Sequence, residues 1–372
     1  MIFWLLNIVA VFILSVSLTS LVIPRILFIA YRKNLFDIPD GRKVHTSVIP
    51  RLGGIAFNPV ITFSFTLMVS INMSFGNDIV FSSFLEEMEP ISYIFCSMII
   101  LYLIGVGDDL IGISYRGKFV AQLICALMFL TGGVYIDNLY GLFGFYTLPV
   151  WVAYPITVLS IIFIINAINL IDGIDGLASG LCCLSLVIYG ITFYTIGQPI
   201  YSFISFCILG VLISFFYFNV FGNEAKQNKT FMGDAGSLTI GVLISALFIK
   251  LLKFAPQYDI EVLNPLILTC SPLTIPFFDV IRVYFSRVKR GKNPFLPDRS
   301  HIHHKLLDLG MGQRLAMISI ILASMFFCCL NMLLSPYLNV TFVLLIDGFI
   351  WIFVNLWISM IIKSRRLQHK IV

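Results

Sequence analysis

Apolar stretches of about 20 residues recur along almost the whole of this chain, and that length is what an α-helix needs to cross a bilayer. They lie near residues 2–30, 53–72, 91–106, 119–136, 148–165, 177–196, 200–219, 237–254, 263–285, 315–334 and 340–362. Hydrophobic residues make up 59% of the chain and charged residues only 12%, where a soluble domain carries about 25% charged residues. A chain this apolar needs lipid as its solvent. The expected fold is an all-α integral membrane protein of about eleven transmembrane helices, forming one polytopic domain over residues 1–372. Residues 2–23 lack a basic leader and a small-residue cleavage site, so they read as a first span and not as a signal peptide.

Charge sets the orientation. The formal net charge is +5, but no long Lys/Arg run and no aromatic–basic alternation of a nucleic-acid binder is present, so no nucleic-acid partner is expected. Basic residues gather instead in alternate loops, near 32–52, 107–118, 220–236 and 286–314, and in the tail at Lys363, Arg365, Arg366 and Lys370, and the loop near 166–176 falls on the same side. The intervening loops carry Asp78, Glu86, Glu87, Glu89, Asp137, Asp259 and Glu261. Basic loops stay in the cytoplasm, which places the N-terminus outside, the C-terminus inside and every polar motif on the cytoplasmic face. The 8 cysteines all fall inside apolar runs without a CxxC pair and are expected to behave as small buried hydrophobes. No internal repeat supports an inverted-repeat transporter.

Five polar motifs interrupt the apolar pattern. Gly107-Asp108-Asp109 closes the third span; adjacent carboxylates repel unless a cation or proton separates them, and Lys118 supplies a positive charge ten residues after Asp108. Asn166, Asn169, Asp172 and Asp175 recur every three residues, with Gly173 and Gly176 loosening the chain between them. Carboxylate and amide oxygens are what Mg²⁺ takes, although such residues also serve as interhelical glue. Phe231-Met-Gly-Asp234-Ala-Gly-Ser237 opens the eighth span and places Asp234 at a helix N-terminus, either as a cap or near phosphate and metal. Arg299-Ser-His301-Ile-His303-His304 concentrates donors for a diphosphate; zinc is the weaker reading, since no cysteine or acid cluster accompanies it. Asp37-Ile-Pro-Asp40-Gly-Arg42-Lys43-Val-His45 and Ile49-Pro50-Arg51-Leu-Gly53-Gly54 form a rigid basic turn into the second span. Acids for a metal and bases for phosphates on one face meet the demand of phosphoryl transfer.

In this order, DIPDGRKVH, IPRLGG, GDD, NAINLIDGIDGLA, FMGDAGSL and RSHIHHKLLDLG, spanning residues 37–310, resemble the polyprenyl-phosphate N-acetylhexosamine-1-phosphate transferases. RSHIHHKLL is similar to the branch using UDP-N-acetylglucosamine, more distantly to the branch transferring phospho-MurNAc-pentapeptide. The resemblance implies a membrane enzyme of the bacterial inner membrane. It would transfer N-acetylhexosamine-1-phosphate, GlcNAc first among the candidates, from a UDP-sugar to undecaprenyl phosphate, release UMP and so initiate a cell-envelope glycan. It implies Mg²⁺, with Mn²⁺ as a substitute, a membrane-lipid environment and leaves a homodimer open.

By residue, the resemblance implies that Asp234 holds the metal with Asn169 and Asp108. Asp108 acts on the lipid phosphate as base or nucleophile, and Asp109 supports that pair or the metal. Asp172 and Asp175 line the metal and uridine site. Phe231 stacks on uracil, Asn219 lies near the nucleotide, and Lys118, Arg299, His301, His303 and His304 bind the diphosphate, with Asn166, His45 and Arg51 completing the substrate site. Asp347, deep in the last span, has no place in this scheme and reads as a hydrogen-bonded packing residue. A transporter or channel using intramembrane acids is the alternative; it requires acids spread through bilayer depth.

Overall fold

The structure is a computed structural model and describes residues 2–33, 35, 49–75, 78–254, 263–291 and 300–371. His45 and Arg299, with Asp37, Asp40, Arg42 and Lys43, lie outside the described residues. The helices are α1 (Ile2–Arg32), α2 (Phe57–Ser74), α3 (Asp78–Glu86), α4 (Met88–Ile111), α5 (Tyr115–Thr131), α6 (Val150–Ile171) and α7 (Leu177–Thr195). They continue as α8 (Pro199–Val220), α9 (Gly233–Phe254), α10 (Pro265–Cys270), α11 (Thr274–Lys289), α12 (Ile302–Asp308), α13 (Gln313–Leu334) and α14 (Val340–Ile371). Among the described residues, 10 helices are long and apolar enough to cross a membrane, with α10 and α11 together forming one of them. This is a multi-pass membrane protein. Inside lipid the helix is favoured because it satisfies its own backbone polar groups.

Three features depart from the expected pattern. The segment expected near 119–136 is α5, only 17 residues long. Gly133, with φ +67, turns the chain out of it, and its length of about 25 Å falls short of a ~30 Å hydrocarbon core. A small antiparallel hairpin, β1 (Asn138–Leu142) with β2 (Phe145–Thr147), joins α5 to α6. The span before the histidine loop is broken at Ser271-Pro272, where proline supplies no N–H.

The break is repaired by side chains. Asn331 of α13 donates to Ser271 Oγ (3.0 Å) and to Asp347 Oδ2 of α14 (2.8 Å), and Ser324 Oγ donates to the Pro272 carbonyl (3.1 Å). Asp347 is fully buried and is the packing residue the sequence suggested. The cysteines are free among the described residues; Cys96 and Cys329 are exposed on the outer surface of the bundle, contrary to the expectation that all eight are buried. In a helix that faces lipid, a small thiol is as acceptable as any apolar group.

Helix α9 is the axis of the molecule, buried along its whole apolar length and packed by α4, α6 and α7. Small residues permit this. A Cβ on Gly105 of α4 would lie 2.5 Å from Ala235 Cα, so only glycine lets the two backbones cross there. At the far end of α9, Lys250 Nζ is 2.6 Å from Glu87 Oε2, which also accepts from Tyr201 OH at 2.7 Å. That pair, with Lys250 buried and Glu87 partly exposed, pins α9 to α4 and α8 on the side away from the motifs. At the near end, the segment before α2 pairs with the segment before α9. Phe231 N donates to the Pro50 carbonyl (3.0 Å), Gly53 N to the Phe231 carbonyl (3.0 Å) and Gly54 N to the Met232 carbonyl (2.9 Å).

Candidate active site

The acids converge on the N-terminus of α9. Gly107-Asp108-Asp109 lies inside the last turn of α4 and not beyond it. Consecutive helical residues diverge by about 100°, so the two carboxylates face different partners. Asp109 faces α9: its Oδ1 accepts from Asp234 N (2.9 Å) and its Oδ2 from Ala235 N (2.9 Å). These are amides that a helix start leaves without intrahelical acceptors. With both oxygens engaged by backbone amides, Asp109 acts as an interhelical cap. Asp108 faces α5: its Oδ2 is 2.6 Å from Lys118 Nζ and its Oδ1 accepts from Ile113 N at 2.6 Å.

Lys118 also lies 3.3 Å from Asp234 Oδ2. One ammonium therefore bridges a carboxylate of α4 and one of α9. Ser114 caps the N-terminus of α5, accepting from Gly117 N, and so starts the helix that carries Lys118. Asn169, in the last turn of α6, donates to Asp234 Oδ1 and to Ser237 Oγ, 2.5 and 2.8 Å away, which leaves its side-chain oxygen for a cation.

Helix α6 ends at Ile171, and Asp172-Gly-Ile-Asp175-Gly176 forms the loop to α7, as the glycines suggested. Burial and then the Asp234 carboxylate push Asp172 up to about 7, against the pull of the Arg51 guanidinium. Asp175 Oδ2 pairs with Lys229 Nζ at 2.8 Å. Gly176 N donates to Asn219 Oδ1 (2.6 Å), and Asn219 Nδ2 donates to the Thr230 carbonyl (2.9 Å). Asn219 therefore ties the α6–α7 loop to the strand-like segment before α9, and Phe231 stands half-buried beside that junction.

The histidines form the opposite wall. His303 is 1% exposed and packs so tightly on the α6–α7 loop that a Cβ on Gly173 would lie 2.2 Å from its Nε2. His301 and His303 rings are parallel, 6° apart in tilt with centroids 5.7 Å apart, and His304 lies 4.2 Å from His303. Burial, then the neighbouring His304 and His301, push His303 down to about 3, so it is neutral at physiological pH. Its Nδ1 is buried without a hydrogen-bond partner. Burial and Arg282 likewise lower Lys305 to about 8.

Two of the expected substrate-site residues are engaged by protein partners in this geometry. Asn166 exchanges hydrogen bonds with Gln122 of α5 (2.8 and 3.4 Å) and donates to the Ile162 carbonyl (2.7 Å). It sits a turn deeper than Asn169, as glue between α5 and α6, because Gln122 offers both a donor and an acceptor there. Asn219 is likewise engaged at both ends and positions loops. One residue was missed. Asp279 of α11 is fully buried and holds the histidine segment; its signal was Asp279 with Arg282 one helical turn on, an acid–base pair inside an apolar run.

The donor set suits magnesium. Among the described residues no three His, Cys, Asp or Glu side chains converge on one point. Mg²⁺ keeps several waters and is held by one or two carboxylates together with substrate phosphates. Asp234, Asp108 and the Asn169 oxygen offer that number, and Lys118 between the two acids marks where positive charge is favoured.

Known proteins are similar to this chain in sequence. Residues 91–252 match the family described as Glycosyl transferase family 4. The undecaprenyl-phosphate alpha-N-acetylglucosaminyl 1-phosphate transferase of Haemophilus influenzae is 33% identical over 293 residues, 78% of this chain and 76% of that protein. The protein of that name from Yersinia pestis is 30% identical over 298 residues, 80% of this chain and 76% of its own. That of Escherichia coli (strain K12) is 29% identical over 298 residues, 80% and 75% respectively. The family match runs through every acid of the site from Asp108 to Asp234 and the relatives extend the likeness over most of the chain, which therefore belongs to glycosyl transferase family 4.

Proposed function

We propose that the protein transfers N-acetylglucosamine-1-phosphate from UDP-N-acetylglucosamine to undecaprenyl phosphate in the cytoplasmic membrane of a bacterium, at the inner face, releasing UMP. The observation that carries this reading is Lys118 bridging Asp108 and Asp234 beside the Asp172 loop, in a chain whose relatives bear the name of that activity. A lipid phosphate oxygen attacks the sugar-bearing phosphorus of the donor. One P–O bond forms, the diphosphate P–O bond breaks, and the electron pair leaves on UMP. A phosphate monoester has its second pKa near 6, so the acceptor is largely ionised at neutral pH and needs placement more than deprotonation.

Lys118 is suited to hold that acceptor phosphate, with Asp108 orienting the ammonium and taking any remaining proton. Asp234, Asn169 and Asp108 would hold Mg²⁺, which when bound neutralises phosphate oxygens. Phe231 and the Asp175–Lys229 pair flank the nucleoside, and Arg51, His301, His303 and His304 face the diphosphate. The fixed charges supply the preorganised field that phosphoryl transfer depends on.

The test uses purified protein, undecaprenyl phosphate, a panel of labelled UDP-sugars, and Mg²⁺ with or without EDTA. EDTA-sensitive label in the lipid phase from UDP-N-acetylglucosamine is the expected result. Label from another UDP-sugar alone would overturn the choice of sugar, and none from any donor would overturn the reaction.

A further inference from the structure

Asp279 has no place in the reaction scheme, yet its carboxylate is fully buried and every contact it makes leads to the histidine segment. Oδ2 lies 2.8 Å from His301 Nδ1. Oδ1 accepts from Ile302 N at 3.1 Å, the first amide of α12, and from Arg282 Nη2 at 2.7 Å. The same arginine nitrogen donates to the Ser300 carbonyl. His301 itself gives α12 no side-chain cap, so Asp279 caps that helix from α11. The His301 ring then lies parallel to His303, and His303 rests on Gly173. A continuous line of packed groups runs from Asp279 to the loop that carries Asp172.

We propose that Asp279 is the positioning residue that fixes the orientation and tautomer of His301, so that His301 turns Nε2 toward the diphosphate of the donor. This rests on the transferase reading above. An ionised carboxylate only accepts hydrogen bonds, so Nδ1 must carry a hydrogen and Nε2 is the nitrogen left for substrate. A proton on Nε2 makes the ring a charge-assisted donor to a phosphate oxygen, with Asp279 as its buried counter-ion. A carboxylate behind a histidine is the usual device for fixing ring and tautomer.

Asp279→Asn separates this role from packing. The amide oxygen can stay on Ile302 N and Arg282, which keeps the α12 cap. The amide nitrogen then faces His301 Nδ1 and, being a donor, demands the opposite tautomer and excludes the doubly protonated ring. The experiment compares wild type, Asp279→Asn, His301→Ala and the double variant, all full-length and purified, with steady-state kinetics in each substrate. Second-sphere partners of this kind cost about 10–100-fold when replaced.

The expected result is a loss of that size in kcat/KM for the UDP-sugar, an unchanged KM for undecaprenyl phosphate, and an unchanged melting temperature. The double variant should be no worse than His301→Ala alone, since residues acting through one another are non-additive. Wild-type kcat/KM in Asp279→Asn, losses that multiply in the double variant, or equal damage to both substrates with a lowered melting temperature would each overturn the proposal. Absence of turnover in the wild type would instead remove the reaction it rests on.

Discussion

His303 and Gly173 are in such close contact that a single methyl group at position 173 would lie 2.2 Å from the imidazole Nε2. Two motifs 130 residues apart in number thereby form one wall. Gly173→Ala must displace either the buried imidazole or the loop holding Asp172. Overpacking of this sort costs about 1–3 kcal/mol. The expected outcome is a lower melting temperature and at least ~10-fold slower transfer, because small misplacements at a reacting centre carry large rate penalties. Kinetics and thermal melts on the one variant check both.

Asp109 and Asp234 are expected to fail differently, although both are acids of the same site. Asp109→Asn leaves one of two helix-start amides facing an NH₂ group, and an unsatisfied buried donor costs about 1–3 kcal/mol. It should lower the melting temperature with and without Mg²⁺. Asp234→Asn, which keeps an oxygen toward Asn169, should melt near wild type and yet show no label transfer. Equal melting temperatures for the two variants would sink the assignment of Asp109 as a cap.

Removing Lys118 should separate metal binding from turnover. Lys118→Met leaves Asp108 and Asp234 facing each other without their bridging ammonium, and unpaired like charges draw a cation in. Divalent-ion affinity, followed by Mn²⁺ titration, should rise, while transfer falls by about 10²-fold or more, the scale of losing one preorganised donor. Weaker Mn²⁺ binding would contradict the reading.

Acid should destabilise the protein through His303. Its folded value, about 3, lies below the usual imidazole value of 6.5. The unfolded chain therefore binds the proton first, and stability present above pH 6.5 is lost as pH falls toward 3. Melting temperatures measured from pH 8 to 4 should fall on the acid side, and His303→Gln should flatten that limb. An unchanged acid limb in His303→Gln would refute the assignment.

Much of this was legible in the sequence. Apolar length marked the spans, and alternating basic loops suggested one polar face. The glycines of Asp172-Gly-Ile-Asp175-Gly predicted the loop that ends α6, where the structure places it. The partners were not legible. Asn166 and Asn169 are alike in sequence, one turn apart on α6, yet one meets Gln122 and the other Asp234. Asp108 and Asp109 are neighbours whose duties differ only because α4 continues through them. Asp279 with Arg282 marked a charged pair inside a span, but its partner His301 became visible only when the fold brought the two side chains together.

The sequence by itself determined the solvent, the helical architecture and the chemical types at the site, because these depend on composition and spacing within single segments. Only the tertiary structure decided which carboxylate caps a helix, which one meets Lys118 and which histidine nitrogen is already engaged. Those outcomes depend on the direction in which each side chain leaves its helix and on contacts between residues far apart in the chain. Burial then removes the competing water, so that each such contact selects a single partner.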